Sequence, residues 1–447
     1  MLTRIQALNF RSLRYIDQPL ESFHVLVGPN ASGKTTFLDV IGFLSDLLSK
    51  GLDEAIATRT SNFQDLVWQR QGNRFELAVE ASIPEEHRLK LPYEHQKYTL
   101  IRYELEVSFN FETNEVEVPS EVVLLKVAEY SSPQELFNNS RSTVPDLILT
   151  ATNSAPNLET ENYLIIAHKQ NLLITRKIDN LDTLITGFDW VRSEVFPHGE
   201  YEVPTEQKRQ LFPLKTGPRR LMISAIPNDE FFFPVTTWFK NFLIEGVQSL
   251  ALNGLTLRQS SPQGQGLSFK ADASNLPWVV DNLKKKSRQR FKNWLAHLKT
   301  SLPDLEDIRV VRRADDAHRY LMVRYSSGVE VPSWMVSDGT LRLLALTLPA
   351  YVADFDGIYL IEEPENGIHP LAIETMFQSL SSVYDAQVLL ATHSPVVLSV
   401  VDAAQVLCFS KDAEGATHIV RGDLHPALQD WHGETNLGLL FAAGVLS

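Results

Sequence analysis

Among 447 residues there is one cysteine, Cys408. A single thiol excludes an internal disulfide and any zinc site built from several cysteines, and it suits a reducing compartment. Long apolar runs are also missing. The best, Leu343 to Ala353, is short and holds Thr347 and Pro349, whereas a membrane helix needs about 18 uninterrupted apolar residues. The opening Met1-Leu2-Thr3-Arg4-Ile5-Gln6 has no signal-peptide stretch, so a cytosolic protein is expected. There is no basic excess. Lys and Arg number 41 against 55 Asp and Glu, a formal net charge of −14. Any contact with nucleic acid or an anionic membrane would need a local basic patch. No internal repeat or low-complexity tract occurs.

The rest is ordinary globular composition, 44% hydrophobic and 21% charged. Wholesale disorder is excluded, and the length suggests about two to three domains. The first 50 residues read as strand, strand, loop and helix. Leu2 to Phe10 alternates, His24-Val25-Leu26-Val27 is an apolar run, and Phe37, Leu38, Ile41, Leu44, Leu47 and Leu48 recur at helical spacing. Strands are expected within Phe75 to Val127, a loop over 131–160, and a hairpin within Asn162 to Lys177. Amphipathic helices are expected over Phe231 to Leu252 and Trp278 to Leu298, then strands near Ile308 to Val311 and Tyr320 to Tyr325. The last 110 residues or so alternate strand, helix, strand, which implies a parallel sheet with helical crossovers.

Four motifs carry chemistry. Gly28-Pro29-Asn30-Ala31-Ser32-Gly33-Lys34-Thr35 fits G-x-x-x-x-G-K-[ST] between an apolar strand and an amphipathic helix. Such a loop wraps phosphate with backbone N–H groups. Lys34 is placed to reach the β- and γ-phosphates, and the Thr35 hydroxyl to bind Mg2+. Ile358-Tyr359-Leu360-Ile361 runs into Glu362 and Glu363. A buried strand ending in adjacent carboxylates needs a cation or a partner. Glu362 is expected to hold the metal and Glu363 to polarise the attacking water. His393 follows the next apolar strand, where parallel sheets bind ligands. Ser337-Asp338-Gly339-Thr340 can cap a helix, or can present a helix N-terminus to a phosphate.

In this order the motifs resemble the ABC-type ATPases. Asn9-Phe10-Arg11-Ser12-Leu13 is similar to the opening of the RecF, SMC and OLD (overcoming-lysogenization-defect) branch. Glu362-Glu363-Pro364-Glu365-Asn366-Gly367-Ile368-His369-Pro370 and the ending Leu437 to Val445 resemble the OLD/AAA_21 ATPases. The resemblance spans about residues 1–85 and 305–447. It implies an α/β P-loop ATPase head of mainly parallel sheet and helices, with an inserted α+β lid or arm. The segments are then 1–85, 86–304 and 305–447.

It further implies ATP and Mg2+ as ligands. Asn30, Ala31, Ser32, Gly33, Lys34, Thr35 and Thr36 would surround ATP, with Arg11 near the nucleotide. Metal would sit on Thr35 and Glu362, and catalysis would rest on Glu363 and His393. Ser337 and Gly339 would touch the γ-phosphate held by a second subunit, which makes the protein a homodimer. The signature is V-S-D-G-T rather than L-S-G-G-Q, and Glu362 stands where Asp is commoner; the AAA_21 branch shows both. The family's Q-loop glutamine is not placed by the sequence; Gln64, Gln69 and Gln71 are all candidates.

Lys34 and Glu363 are 329 residues apart, longer than in a transporter ATPase, and the insert lacks the heptads of an SMC arm. Only about 50 residues follow His393, with no D-x-D, so the TOPRIM nuclease of OLD nucleases is not expected here. By fold-level analogy, a nuclease or toxin effector is expected on a separate chain, as in anti-phage systems. The alternative is a RecF/SMC-like DNA clamp acting in repair. Lys284 to Lys292 holds six basic residues in nine. On one helix Lys284, Arg288 and Lys292 would share a side and could contact DNA phosphates, or form a solvated face.

Overall fold

The computed structural model describes residues 1–128, 163–170, 174–178, 181–185, 189–192, 211–214, 216–352, 355–426 and 437–438. The loop expected over 131–160 and most of the motif ending at Val445 lie outside them. Contacts divide the chain into two units. One comprises Met1–Leu20, Thr36–Glu245 and Ser410–Ile419, the other Glu21–Thr35, Gly246–Phe409 and Val420–Ser447. This division differs from the three segments drawn from motifs.

The first unit is built on an eight-stranded sheet. Its strands are β1 (Leu2–Phe10), β2 (Leu13–Pro19), β4 (Arg74–Ser82), β5 (Leu100–Asn110), β6 (Glu115–Lys126), β7 (Tyr163–Gln170), β10 (Asp189–Arg192) and β11 (Leu211–Leu214). Their order is β11-β10-β7-β6-β5-β4-β1-β2, and the pairs are antiparallel. The hairpin expected within 162–177 does not form. β7 pairs with β6 and β10, while β8 (Ile174–Ile178) pairs with β9 (Leu181–Ile185) in a separate sheet.

The helix after the Gly-rich loop, α1 (Lys34–Lys50), buries Phe37, Leu38, Val40, Ile41, Phe43, Leu44 and Leu47. Phe43 meets Phe10 and Phe75 at centroid distances of 5.8 and 5.6 Å, and Phe63 stacks on Phe75 at 5.8 Å. Such pairs add about 0.5–1.5 kcal/mol each beyond area burial. Charges are buried here as well. Arg102 bonds Glu80 at 2.9 Å and Glu104 at 2.5 Å, and Lys126 bonds Glu80 at 3.0 Å. Mutual pairing makes these carboxylates tolerable away from water.

Another sheet has six strands in the order β12-β16-β17-β3-β18-β19. The strands are β3 (Phe23–Val27), β12 (Val247–Leu250), β16 (Ile358–Glu362), β17 (Gln387–Ala391), β18 (Val406–Lys411) and β19 (Thr417–Arg421). The pairings from β12 to β18 are parallel. Strands buried on both faces read as continuous apolar runs, and every residue of β3 and β17 is buried. A smaller antiparallel sheet, β13 (Leu305–Arg312), β14 (Arg319–Tyr325) and β15 (Glu330–Pro332), accompanies it.

Two expected helices are interrupted. The one over 231–252 ends as α2 (Pro234–Ile244), and Val247–Leu250 becomes edge strand β12. The Gly246 carbonyl accepts the Ile358 N–H at 2.6 Å. A Cβ on Gly357 would lie 2.2 Å from that oxygen, so only glycine fits there. The basic segment is likewise two helices, α3 (Leu276–Lys286) and α4 (Arg288–Lys299). Ser287 sits between them with φ −145° and ψ 89°, and its side chain accepts the Arg290 N–H. Serine's preference for capping outweighs helical periodicity. Lys284 therefore lies on a different helix from Arg288 and Lys292. Lys284 also lies over the Phe291 ring at 4.7 Å and 3.9 Å from Asp307.

His24, in β3, is fully buried. Its ring accepts the Glu21 N–H at 2.8 Å and lies 3.3 Å from the Gln405 carbonyl. Burial lowers its pKa from 6.5 to about 4. The unfolded chain therefore binds a proton that the folded one excludes, and stability is lost as pH falls from 6.5 toward 4. Urea unfolding should show about 2 kcal/mol less stability at pH 5 than at pH 7 from this group. The loss should flatten in His24→Gln; an unchanged pH slope in that variant contradicts the assignment.

Candidate functional site

Three strand ends meet along one edge of the parallel sheet. The register sets Ala391 opposite Leu26 on β3 and opposite Glu362 on β16. The Thr392 N–H continues this alignment onto the Leu26 carbonyl at 3.1 Å. The chain thus leaves all three strands on the same side: the Gly-rich loop after β3, the acids at the end of β16, and His393 after β17. Open parallel sheets bind ligands at such an edge.

The loop is shaped by backbone that favours glycine. Gly28 has φ +149° and Gly33 has φ +107°. A Cβ on Gly28 would lie 2.2 Å from the Phe409 carbonyl. Ala31 takes φ +62°, a left-handed turn costing an alanine about 1–2 kcal/mol. Asn30 and Ala31 are exposed, Ser32 is buried, and Thr36 continues the first turn of α1. Lys34 is 7% exposed and donates to the carbonyls of Gly28 at 2.7 Å and Pro29 at 2.9 Å. Burial lowers its pKa, opposed by the nearby charges of Glu363 and Glu362.

The Thr35 hydroxyl donates to Glu362 Oε2 at 2.5 Å. Residues 327 apart are thereby joined. A hydroxyl and a carboxylate side by side form a hard oxygen pair suited to Mg2+, and Thr35 and Glu362 are the residues that would hold it.

Glu363 begins a tight turn with φ +46°. Its N–H donates to the Ala391 carbonyl at 2.8 Å. Its carboxylate is half exposed, with Oε1 4.0 Å from His393 Nε2 and Oε2 accepting from the Asn366 amide at 2.6 Å. Glu365 fastens the neighbouring loop. Its Oε1 accepts the Thr392 hydroxyl at 2.6 Å and the His393 N–H at 3.0 Å. Sequence reasoning gives neither Glu365 nor Asn366 a role. Polar residues two and three places after the paired acids, with Gly367 marking the turn, are the signal that points to them.

The signature residues are also placed. Ser337 caps α5 (Asp338–Thr347), accepting the Thr340 N–H at 3.2 Å. Asp338 bonds Arg342 at 2.8 Å. Gly339 packs against the turn after Glu363: a Cβ there would lie 2.5 Å from the Gly367 carbonyl. The structure thus assembles Lys34, Thr35, Glu362, Glu363 and His393, and sets the α5 start against the Glu363 turn. Arg11 belongs to the antiparallel unit, where it bonds Asp39 of α1 at 2.8 Å. Gln64, Gln69 and Gln71 lie in that unit too, and Gln69 donates to the Glu414 carbonyl at 3.0 Å.

Two family models match the chain. Residues 1–191 match "AAA ATPase domain". Residues 203–399 match "AAA domain, putative AbiEii toxin, Type IV TA system". No curated protein sequence matches. Among solved structures, the chain is similar to an SMC head bound to the C-winged helix domain of ScpA. That likeness has 13% identity, a TM-score of 0.48, and coverage of 94% of this chain and 97% of the other. A Pyrococcus furiosus Smc head with extended coiled coil shows 11% identity and 0.47, covering 94% and 95%. The SMC head of Thermotoga maritima shows 10% and 0.41, covering 94% and 98%.

The Gly339 contact generates a direct expectation. Gly339→Ala should lower stability by about 1–3 kcal/mol, because the methyl group meets backbone rather than a movable side chain. Denaturant unfolding measures this, and a variant as stable as the wild type would show that the turn yields.

Proposed function

Because residues 1–191 and 203–399 each match an AAA ATPase family model, we propose that this chain is a Mg2+-dependent ATP-hydrolysing switch that works as a homodimer. The observation that carries the reading is the Thr35–Glu362 contact. It brings the phosphate-loop hydroxyl to the carboxylate that ends the acidic strand. Mg2+ on this pair would offset phosphate charge. Lys34, released from its loop carbonyls, adds a cation to the β- and γ-phosphates. Asn30, Ala31, Ser32, Gly33 and Thr36 contribute backbone and side-chain donors around them. Glu363 orients and deprotonates the attacking water, and His393 contacts the γ-phosphate side.

The homodimer is what the resemblance to the ABC-type ATPases implies for a sequence with one phosphate loop and one signature. In this reading Ser337 and Gly339 of each protomer close over the nucleotide of its partner, through the N–H groups at the start of α5. The switch controls a separately encoded nuclease or toxin effector in bacterial anti-phage defence. The family description links the matched domain to a toxin–antitoxin system, and the separate effector is proposed by fold-level analogy. A cytoplasmic location agrees with the single cysteine, which is buried with its pKa pushed up to about 12. Among the described residues no helix is long and apolar enough to cross a membrane. The DNA-clamp alternative, which rests on the RecF/SMC resemblance, loses only its single continuous basic helix with the break at Ser287. Duplex DNA binding that strengthens with ATP and weakens with salt would favour this alternative.

Two variants test the reading. Lys34→Ala should lose nucleotide binding while remaining folded, as followed with a fluorescent ATP analogue; normal affinity contradicts the loop assignment. Glu363→Gln should keep ATP but slow its hydrolysis by about 10²–10⁴-fold, the usual contribution of a general base. Sedimentation of this variant should show a dimer with ATP and a lighter species without it. Wild-type turnover would exclude Glu363 as the base, and the absence of any ATP-dependent dimer would defeat the partner-shared site.

A further inference from the structure

The turn from Glu363 to Gly367 holds the catalytic carboxylate more tightly than its exposure suggests. Asn366 reaches Glu363 twice. Its backbone N–H donates to the Glu363 carbonyl at 3.0 Å, closing the turn. Its side-chain amide donates to Glu363 Oε2 at 2.6 Å. The other oxygen, Oε1, is left on the His393 side at 4.0 Å. The Glu363 backbone is meanwhile fixed to β17 through the Ala391 carbonyl. A half-exposed glutamate has several rotamers open to it, and ordering such a side chain costs up to about 1.5–2 kcal/mol. Here one amide selects among those rotamers, and it does so from a residue whose backbone is already locked.

We infer that Asn366 is a positioning residue for Glu363: its amide holds Oε2, so that Oε1 faces the site where water attacks the γ-phosphate. The inference rests on Glu363 being the base. In this inference Asn366 acts through Glu363. Its own placement is fixed from two directions. Gly367, with φ +80°, turns the chain directly after it. The Gly367 carbonyl packs on Gly339 at the start of α5, and Arg342 of the same helix approaches Gly367. A shift of the α5 start would therefore reach the carboxylate through three consecutive contacts: Gly339 on Gly367, Gly367 joined to Asn366, and Asn366 on Glu363.

Asn366 is exposed, so its replacement removes the amide without emptying a core. In Asn366→Ala, kcat should fall by about 10- to 100-fold, the cost of a misplaced catalytic group. KM and the affinity for a fluorescent ATP analogue should stay within about twofold of wild type, because ground-state binding does not use this contact. Asn366→Asp should lose at least as much, since a second carboxylate repels the first from its seat. Asn366→Gln keeps the amide on a longer stem and should recover part of the loss. The assignment is overturned if Asn366→Ala turns over at the wild-type rate. It is equally overturned if kcat, nucleotide affinity and melting temperature fall together, the mark of a purely structural role. Glu363→Gln run alongside separates the two levels. If that variant is dead while Asn366→Ala is fully active, only Asn366 is misassigned. If Glu363→Gln is itself fully active, the reading of the base falls and this inference falls with it.

Discussion

The arrangement depends on one contact, the hydrogen bond from Thr35 to Glu362. Two long-range partners meet there because β3, β17 and β16 run parallel in register, so their carboxyl ends stop at one edge. Parallel strands cannot be joined by tight turns. The chain therefore spends long connections between β3 and β16, and those connections hold much of the rest of the molecule. Register decides the outcome. A slip of one residue in β16 would exchange the faces of its side chains, and Glu362 would no longer point at Thr35.

Around that contact the strain is local. Ala31 and Glu363 take left-handed backbone without being glycine, and each lies beside a group assigned to chemistry. Strain of this kind persists where surrounding bonds over-determine it. At Glu363 those bonds are visible: the Ala391 carbonyl on its N–H, Asn366 on its carbonyl and on its carboxylate. Glu365 does the same for the neighbouring loop through Thr392 and His393. Five consecutive residues, Glu363 to Gly367, thus set the base, the histidine loop and the seat of the α5 start.

Much of this is legible in the sequence, for identifiable reasons. The phosphate loop, the paired acids and the histidine each follow a buried apolar strand, and four-residue apolar runs ending in polar chemistry survive any tertiary context. The helix pattern of α1 holds because seven of its residues bury one face. The failures share a cause as well. Val247–Leu250 and Ser287 lie inside stretches with helical periodicity, yet a glycine carbonyl needed by β16 and a serine cap interrupt them. Periodicity reports which face is apolar and is blind to single residues that stop a helix. The roles of Glu365 and Asn366 are hidden for a different reason: they act through turn geometry, which spacing alone does not reveal.

The most direct test is phosphate release from ATP by the wild-type chain and by Thr35→Ala, each with Mg2+ and with a chelator. If the meeting of Thr35 and Glu362 builds the hydrolytic centre, only the wild type with Mg2+ should release phosphate at a measurable rate. Hydrolysis by Thr35→Ala at the wild-type rate, or a wild type that releases no phosphate with Mg2+ present, would contradict the account.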